Sequence, residues 1–440
     1  MAGRHQRRRG GSRGTSLRAL TTLTLARGSS AFDYGVDAAN ASCVVSIQPL
    51  HNETWVSGQH SAPSVIMPPN IRYLLEANWS MFDADAERVV AAFNGLHLGE
   101  FGHARSTFHD HLLGTYGMLA AWGQPVDVMR CGLVHTAYSG DLFQFFVFDA
   151  DSEHERAELR AIVGAAGEEL TWLFGTVHRG ALVGLEQLIS GEAHDDADSS
   201  VRRLAAYDTD TVDVAHRLLG TVELTNSQIA KLVVVTIADY LEQMVEINGW
   251  RDHHQEEDLS SSLFPGDGRP AVALHWLSHA CAAIRDHLEI VPPVFARCTR
   301  VLSAKDELHA RDAYWYVVMR EREDRLGEAV QRASLQTAID HNPFVGEPHI
   351  LLAQLDYRAG AYASAIWHCD AALTKLYAMA TAWDKRRSYG AWVGYARMLR
   401  LRASRMLDGH STSLPLEMGM PPTHAGRSLV SVRKLKEMMP

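Results

Sequence analysis

His111, His135 and Asp239 are the residues whose types and spacing bear most directly on chemistry. Each falls on the apolar face of a helix that the sequence predicts. A buried imidazole or carboxylate is costly unless it is hydrogen-bonded, ion-paired or bound to a metal. Neutral imidazole and carboxylate ligands suit Zn, Fe, Mn or Co. Three protein ligands with open positions are the arrangement of catalytic zinc and of two-histidine-one-carboxylate iron sites. The cofactor expected is therefore a divalent metal, with Mn, Zn or Fe as candidates. Its chemistry would be the activation of a bound water. The plainer alternative is that His111 and His135 hydrogen-bond within a helical core that holds no ion.

Other polar residues offer less. His109 and His111 are two apart, so they point about 200° apart on a helix and cannot readily share an ion. His109-Asp110 spells the same dipeptide as a metal doublet, but no apolar run precedes it. His275 and His279, four apart, share a helical face; no third ligand lies nearby, so packing is the favoured reading. His253-His254 sits in a polar loop. Gly164 to Gly167 lacks a phosphate-loop pattern, and spacing reveals no Ser-His-Asp arrangement. The five cysteines form no CxxC pair and their number is odd, which argues against a disulfide framework or zinc ribbon. Cys131, Cys281 and Cys369 fall in helical patterns and read as small core residues.

The elements that must position the three residues are helices. Helical periodicity begins over 82–95, with Asp83 and Asp85 near the start, where acids suit the helix dipole. The next helix is predicted over about 104–122, with Phe108, His111, Leu112, Thr115, Leu119 and Trp122 on one stripe. Gly123-Gln-Pro125 breaks it, and proline in the first turn starts a second helix, where Val128, Cys131, His135 and Tyr138 share a face. Further helices are predicted at 153–164, 166–177 and 180–190. The acidic, polar stretch 191–213 reads as a surface loop or insertion. Asn226 reads as the N-cap of a helix over 227–247. Its run Leu232-Val-Val-Val-Thr-Ile-Ala-Asp239 is apolar enough to bury Asp239. Residues 251–269 read as a loop, Leu274 to Leu288 as a helix, and Pro292-Pro293 as a domain boundary.

At 440 residues the chain is long enough for two or three domains. Apolar residues make up 46% and charged residues 21%, the balance of an ordinary globular protein. Net charge is −10, which gives no basic balance to suggest nucleic acid as a partner. No stretch approaches the roughly 20 apolar residues of a membrane span. Residues 1–32 hold seven arginines and no acid before Asp33, which resembles an organelle transit peptide and so a mitochondrial or plastid destination. A disordered basic tail with a cytoplasmic location fits the same composition. Sequons at Asn40, Asn52 and Asn78 keep a secretory route open. Residues 36–80 read as irregular, with a short strand at Val44 to Ile47, and the tail over 409–440 as poorly ordered.

With Cys131-Gly-Leu-Val-His135-Thr136 placed 24 residues after His111, and Lys231-Leu-Val-Val-Val-Thr-Ile-Ala-Asp239 far downstream, residues 83–250 resemble the HD phosphohydrolase superfamily. That family is all-helical and binds a divalent metal through a His, a His-Asp doublet and a distant Asp. The likeness is nearest to the hydrolase domains that remove pyrophosphate from the alarmone (p)ppGpp. Through His103-Ala-Arg105, Asp110-His111-Leu112, Gly114-Thr115, Trp122-Gly123 and Gly132-Leu-Val-His135, the chain is also similar to an HD-like domain family of unknown function. The resemblance implies His111, His135 and Asp239 as metal ligands. The chain departs from the pattern at Thr136, which replaces the doublet's Asp, and at Ser139-Gly140, which replaces an acidic pair. Asp141 is the nearest acid and becomes the candidate acid or base. Arg105, near the start of its helix, is the candidate phosphate contact, against the plainer reading of a surface arginine.

Beyond Pro293 an internal repeat of period 34 relates Ala338 to Ala372 and Gly360 to Gly394, and Trp315 and Trp383 lie two periods apart. Gly360 to Leu373 resembles the second helix of a tetratricopeptide repeat. Small residues at Ala365 and Ala372 would permit close packing, and Asn342-Pro343 would mark the hand-over between helix pairs. Such repeats stack into superhelices with a binding groove. The expected fold is all-α: an HD-like helical domain over 81–290, then tetratricopeptide-like helix pairs over 304–405. The expected function is metal-dependent phosphohydrolysis of a nucleotide or phosphorylated small molecule. The alternative is a non-catalytic scaffold whose repeats bind a protein partner.

Overall fold

The computed structural model describes residues 65–103, 106–140, 146–179, 211–243, 270–295, 301–320 and 326–409. The described chain is predominantly helical, as the periodicity predicts, with thirteen α-helices and two antiparallel two-stranded ribbons. None of the described helices is long and apolar enough to cross a membrane. Arg105, Asp141, His253-His254, the predicted helix at 180–190 and both termini lie outside the described residues.

Helices α1 (Pro69–Leu75) and α2 (Ala86–Asn94) come first. Helix α1, with proline at its first turn, lies inside the stretch that composition reads as irregular. A short ribbon, β1 (Gly102–His103) with β2 (Ser106–Thr107), leads into α3 (Phe108–Ala121). A capping box starts α3: the Thr107 hydroxyl accepts the Asp110 N–H at 3.1 Å, and the Asp110 carboxylate accepts the Thr107 N–H at 3.4 Å. Helix α4 (Val126–Val134) follows Pro125, and His135 is its C-cap. Helices α5 (Glu153–Val163) and α6 (Ala165–Thr176) complete this first group.

Two strands then appear that the sequence reading does not predict. β3 (Thr211–His216) pairs with β4 (Gly220–Thr225). Val212, Val214 and His216 face inward while Asp213 and Ala215 face out, a period of two that begins in the last residues of the stretch 191–213 read as loop. Helix α7 (Asn226–Gln243) follows directly. Its cap is Thr225 rather than Asn226, because the Thr225 hydroxyl accepts the Gln228 N–H at 3.2 Å and the Gln228 side chain returns a bond from the Thr225 N–H at 3.0 Å. Helix α8 (Leu274–Ile284) tightens into a single 3₁₀ turn over Arg285–His287.

The remaining helices are α9 (Ala304–Arg320), α10 (Glu328–His341), α11 (Glu347–Arg358), α12 (Tyr362–Met379) and α13 (Tyr389–Leu407). Each packs on the next in sequence, and α9 packs back on α8. Ala365 and Ala372 are fully buried on α12. One apolar cluster runs from Met67 through α3, α4 and α7 to Tyr314, Trp383 and Leu399. Polar bonds cross the same ground: Trp122 Nε1 donates to the Ala378 carbonyl at 3.2 Å, and Glu307 on α9 caps the start of α8.

The layer that matters for chemistry is α3, α4 and α7, which pack on one another, with α6 behind α4. Gly132 lets α3 and α4 approach, since a Cβ there would lie 2.4 Å from Leu119 Cδ1. That close crossing brings the residues at the end of α4 beside those at the start of α3.

Candidate metal centre

His111 lies on the first turn of α3, His135 caps α4, and Asp239 sits one turn from the described end of α7. The three side chains converge. One ligand atom from each lies within 4.8 Å of the others. His111 Nε2 is 3.2 Å from Asp239 Oδ1, and His135 Nε2 is 3.5 Å from the same oxygen. The two rings stand at 88° to each other, with centroids 5.3 Å apart. All three residues are buried.

The other ring nitrogens fix what these atoms can do. His111 Nδ1 donates to Glu242 Oε2 at 2.6 Å, and His135 Nδ1 donates to the Gly132 carbonyl at 2.9 Å. A carbonyl or carboxylate can only accept, so each Nδ1 carries hydrogen in these bonds. In the neutral rings the Nε2 lone pairs therefore turn toward the Asp239 carboxylate. Three electron-rich atoms facing one another favour a cation between them, whether a proton or a metal. The titration of the metal-free groups expresses the same demand. Burial works to lower the His111 pKa, yet hydrogen bonds and charge from Asp239 and Glu242 outweigh it and push it up to about 9. Burial works to raise Asp239, but the facing His135 and His111 imidazoles hold it well below the usual carboxylate range.

Several residues of this site carry no signal in the metal pattern itself. Glu242 and Gln243 follow Asp239 by three and four positions, which places them on its helical face. That spacing is the clue by which sequence could have found them. Gln243 Nε2 donates to Asp239 Oδ1 at 2.6 Å and lies 3.4 Å from His111 Nε2. Gly114, one turn after His111, leaves the room that Glu242 fills, since a Cβ there would lie 2.8 Å from Glu242 Cγ.

Phe174 of α6 stands edge-on to His135, with centroids 5.4 Å apart. The Arg179 guanidinium lies over the same ring, 3.5 Å from its centroid, and is buried. Arg179 also reaches Thr236 Oγ1 at 3.3 Å, one turn before Asp239. From the ribbon, Arg217 donates to the Ser139 carbonyl at 2.9 Å. Two cations thus stand near the segment that follows His135.

The remaining candidates have other partners. His109 bonds Asn94 at 2.8 Å and stacks on Phe93. His275 pairs with Glu307 at 2.7 Å. Cys131, Cys281 and Cys369 are buried, and burial pushes the first two thiols up to about 12. Among the described residues, His111, His135 and Asp239 form the one group of three or more with metal-binding geometry.

Residues 93–179 match a family described as Domain of unknown function (DUF6817). The match takes in His111 and His135 but ends before Asp239. No curated protein and no solved structure matches the chain.

Proposed function

We propose that His111, His135 and Asp239 hold a divalent metal ion, and that the surrounding helices act as an HD-like, metal-dependent phosphohydrolase on a nucleotide or other phosphorylated small molecule. The observation that carries this reading is the state of the two imidazoles. Each Nδ1 is tied to an acceptor, and each Nε2 is turned toward one carboxylate oxygen. Metal-binding histidines are oriented in this way, because the outer bond fixes the tautomer and raises ligand basicity. A divalent ion there would polarise a phosphoryl oxygen and acidify a bound water.

The protein's own groups have distinct roles in this reading. Glu242 holds the His111 ring, and the Gly132 carbonyl holds His135. Arg179 and Arg217 bring positive charge near the same end of α4, where an anionic substrate would be drawn. Asp141 and Arg105 keep their assigned roles of acid or base and phosphate contact as part of the proposal.

The test is metal content of the purified full chain beside Asp239→Asn, after reconstitution with Mn, Zn or Fe. About one equivalent is expected in the wild type, with most of it lost in the variant. Equal content in both sinks the site. Metal that binds without phosphate release from any of a panel of nucleotides and sugar phosphates removes the hydrolase half alone. A wild type that takes up no ion leaves the second reading, a scaffold whose helices α9 to α13 bind a protein. That reading draws on Trp367, which stands 52% exposed on α12 beside His349 and His368.

A further inference from the structure

Gln243 does more than neighbour the metal centre. Its carboxamide reaches back one helical turn to Asp239 and comes close to His111, two of the three ligands. The amide nitrogen is 2.6 Å from Asp239 Oδ1 and 3.4 Å from His111 Nε2. The Asp239 carboxylate can only accept, so the NH₂ end is the correct one to face it in the metal-free protein. It puts a positively polarised hydrogen against the carboxylate that a cation would otherwise meet.

A half-turn of the amide exchanges nitrogen for oxygen without moving the carbon framework. Adjacent ligands on an ion with bonds of about 2.1 Å and near-right angles lie roughly 3.0 Å apart. The four neighbouring separations here are 2.6, 3.2, 3.4 and 3.5 Å, scattered around that spacing. Glu242 cannot take the same role from its present place, because it is engaged on the far nitrogen of His111. The HD pattern would put the doublet's carboxylate at position 136, where this chain has Thr136, so on that reading the protein is one ligand short.

We propose that Gln243 supplies the fourth protein ligand through Oε1, replacing from α7 the carboxylate missing at position 136. This inference rests on the metal reading above. The donor set becomes two imidazoles, one carboxylate and one amide oxygen. Such an evenly mixed nitrogen–oxygen set suits a six-coordinate ion of the Mn²⁺ or Fe²⁺ kind, with two positions left for water or substrate. The same side chain then has two states: a hydrogen-bond donor that quiets the metal-free cradle, and a ligand that completes the loaded one.

The experiment is Co²⁺ titration of the full chain, followed by visible d–d absorption, for wild type, Gln243→Ala and Gln243→Glu. The alanine variant is expected to bind about tenfold more weakly or worse, with a shifted band. The glutamate variant, which keeps an oxygen at the same reach, is expected to restore or exceed wild-type affinity; this rescue separates ligation from misfolding. Wild-type affinity in Gln243→Ala, tighter binding, or weaker binding with an unshifted band each overturns the assignment. Failure of the wild type to bind Co²⁺ overturns the metal reading and this inference with it. Binding by the wild type together with an unaffected alanine variant overturns this inference alone.

Discussion

Replacing Gly114 by alanine separates helix stability from metal affinity. Gly114 lies within α3, three residues after His111, and the added methyl would meet Glu242 Cγ at 2.8 Å, Oε1 at 2.9 Å and Cδ at 3.1 Å. Ordinary carbon contacts lie at about 3.5–4.0 Å, so the Glu242 side chain must retreat by roughly 1 Å. Its bond to His111 Nδ1, now 2.6 Å, would stretch past the useful range of about 3.2 Å. Loss of such an outer partner costs about 10–100-fold in metal affinity, or about 1.4–2.8 kcal/mol. The helix itself gains about 0.5–1 kcal/mol, because alanine is the better helix former. The two effects have opposite signs. Chemical denaturation of the metal-free protein should show Gly114→Ala equal to or more stable than wild type, less whatever the lost Glu242–His111 pair contributed. Competition against a chromophoric chelator should show weaker metal binding, matched by Glu242→Gln. An alanine variant that binds metal as tightly as wild type would refute the claim that Glu242 orients His111.

Two further predictions concern stability. His349 and His368 meet through their Nδ1 atoms at 3.0 Å, and burial pulls both down, His349 well below the usual range and His368 to about 4, with Asp356 opposing and Arg332 adding to the fall. Between pH 6.5 and 4 the unfolded chain therefore binds more protons at His368 than the folded one. Stability falls as pH drops through that window, by about 3 kcal/mol from this residue; urea curves for His368→Gln should be flatter by that amount, and parallel curves would contradict it. Glu307 is fully buried and accepts the N–H groups of Ala273, Leu274 and His275 at 2.8–2.9 Å, plus His275 Nδ1. Glu307→Ala should cost about 3 kcal/mol or more, since each stranded donor costs about 1 kcal/mol or above; a loss under 1 kcal/mol in guanidinium melts would refute its capping role.

The helices were legible because a 3.6-residue apolar period survives any change of partner, as in Phe108, His111, Leu112, Thr115 and Leu119. The convergence of His111, His135 and Asp239 was legible for a related reason: an imidazole or carboxylate on an apolar stripe is conspicuous. The β3–β4 ribbon was not, because β3 begins inside the polar stretch 191–213, whose composition says loop, and its two strands are only six residues each. Glu242 and Gln243 were missed because nothing in a polar helix end reveals what its side chains reach across to. Glu307 is a harder case still. Its partners lie more than thirty residues upstream, and an acid in the first turn of a helix explains itself locally by the dipole before any distant contact is considered.

The Glu307 cap also bears on how this protein can be taken apart. Helix α8 begins with three amides whose acceptor is supplied by α9, and Trp122 on the far side is held by a carbonyl of α12. A chain cut between α8 and α9 would leave the upstream piece with an uncapped helix and an exposed apolar seam. The two sets of helices are therefore bound to a shared history: neither can be shuffled into another protein, or drift far in sequence, without the other answering at the joint.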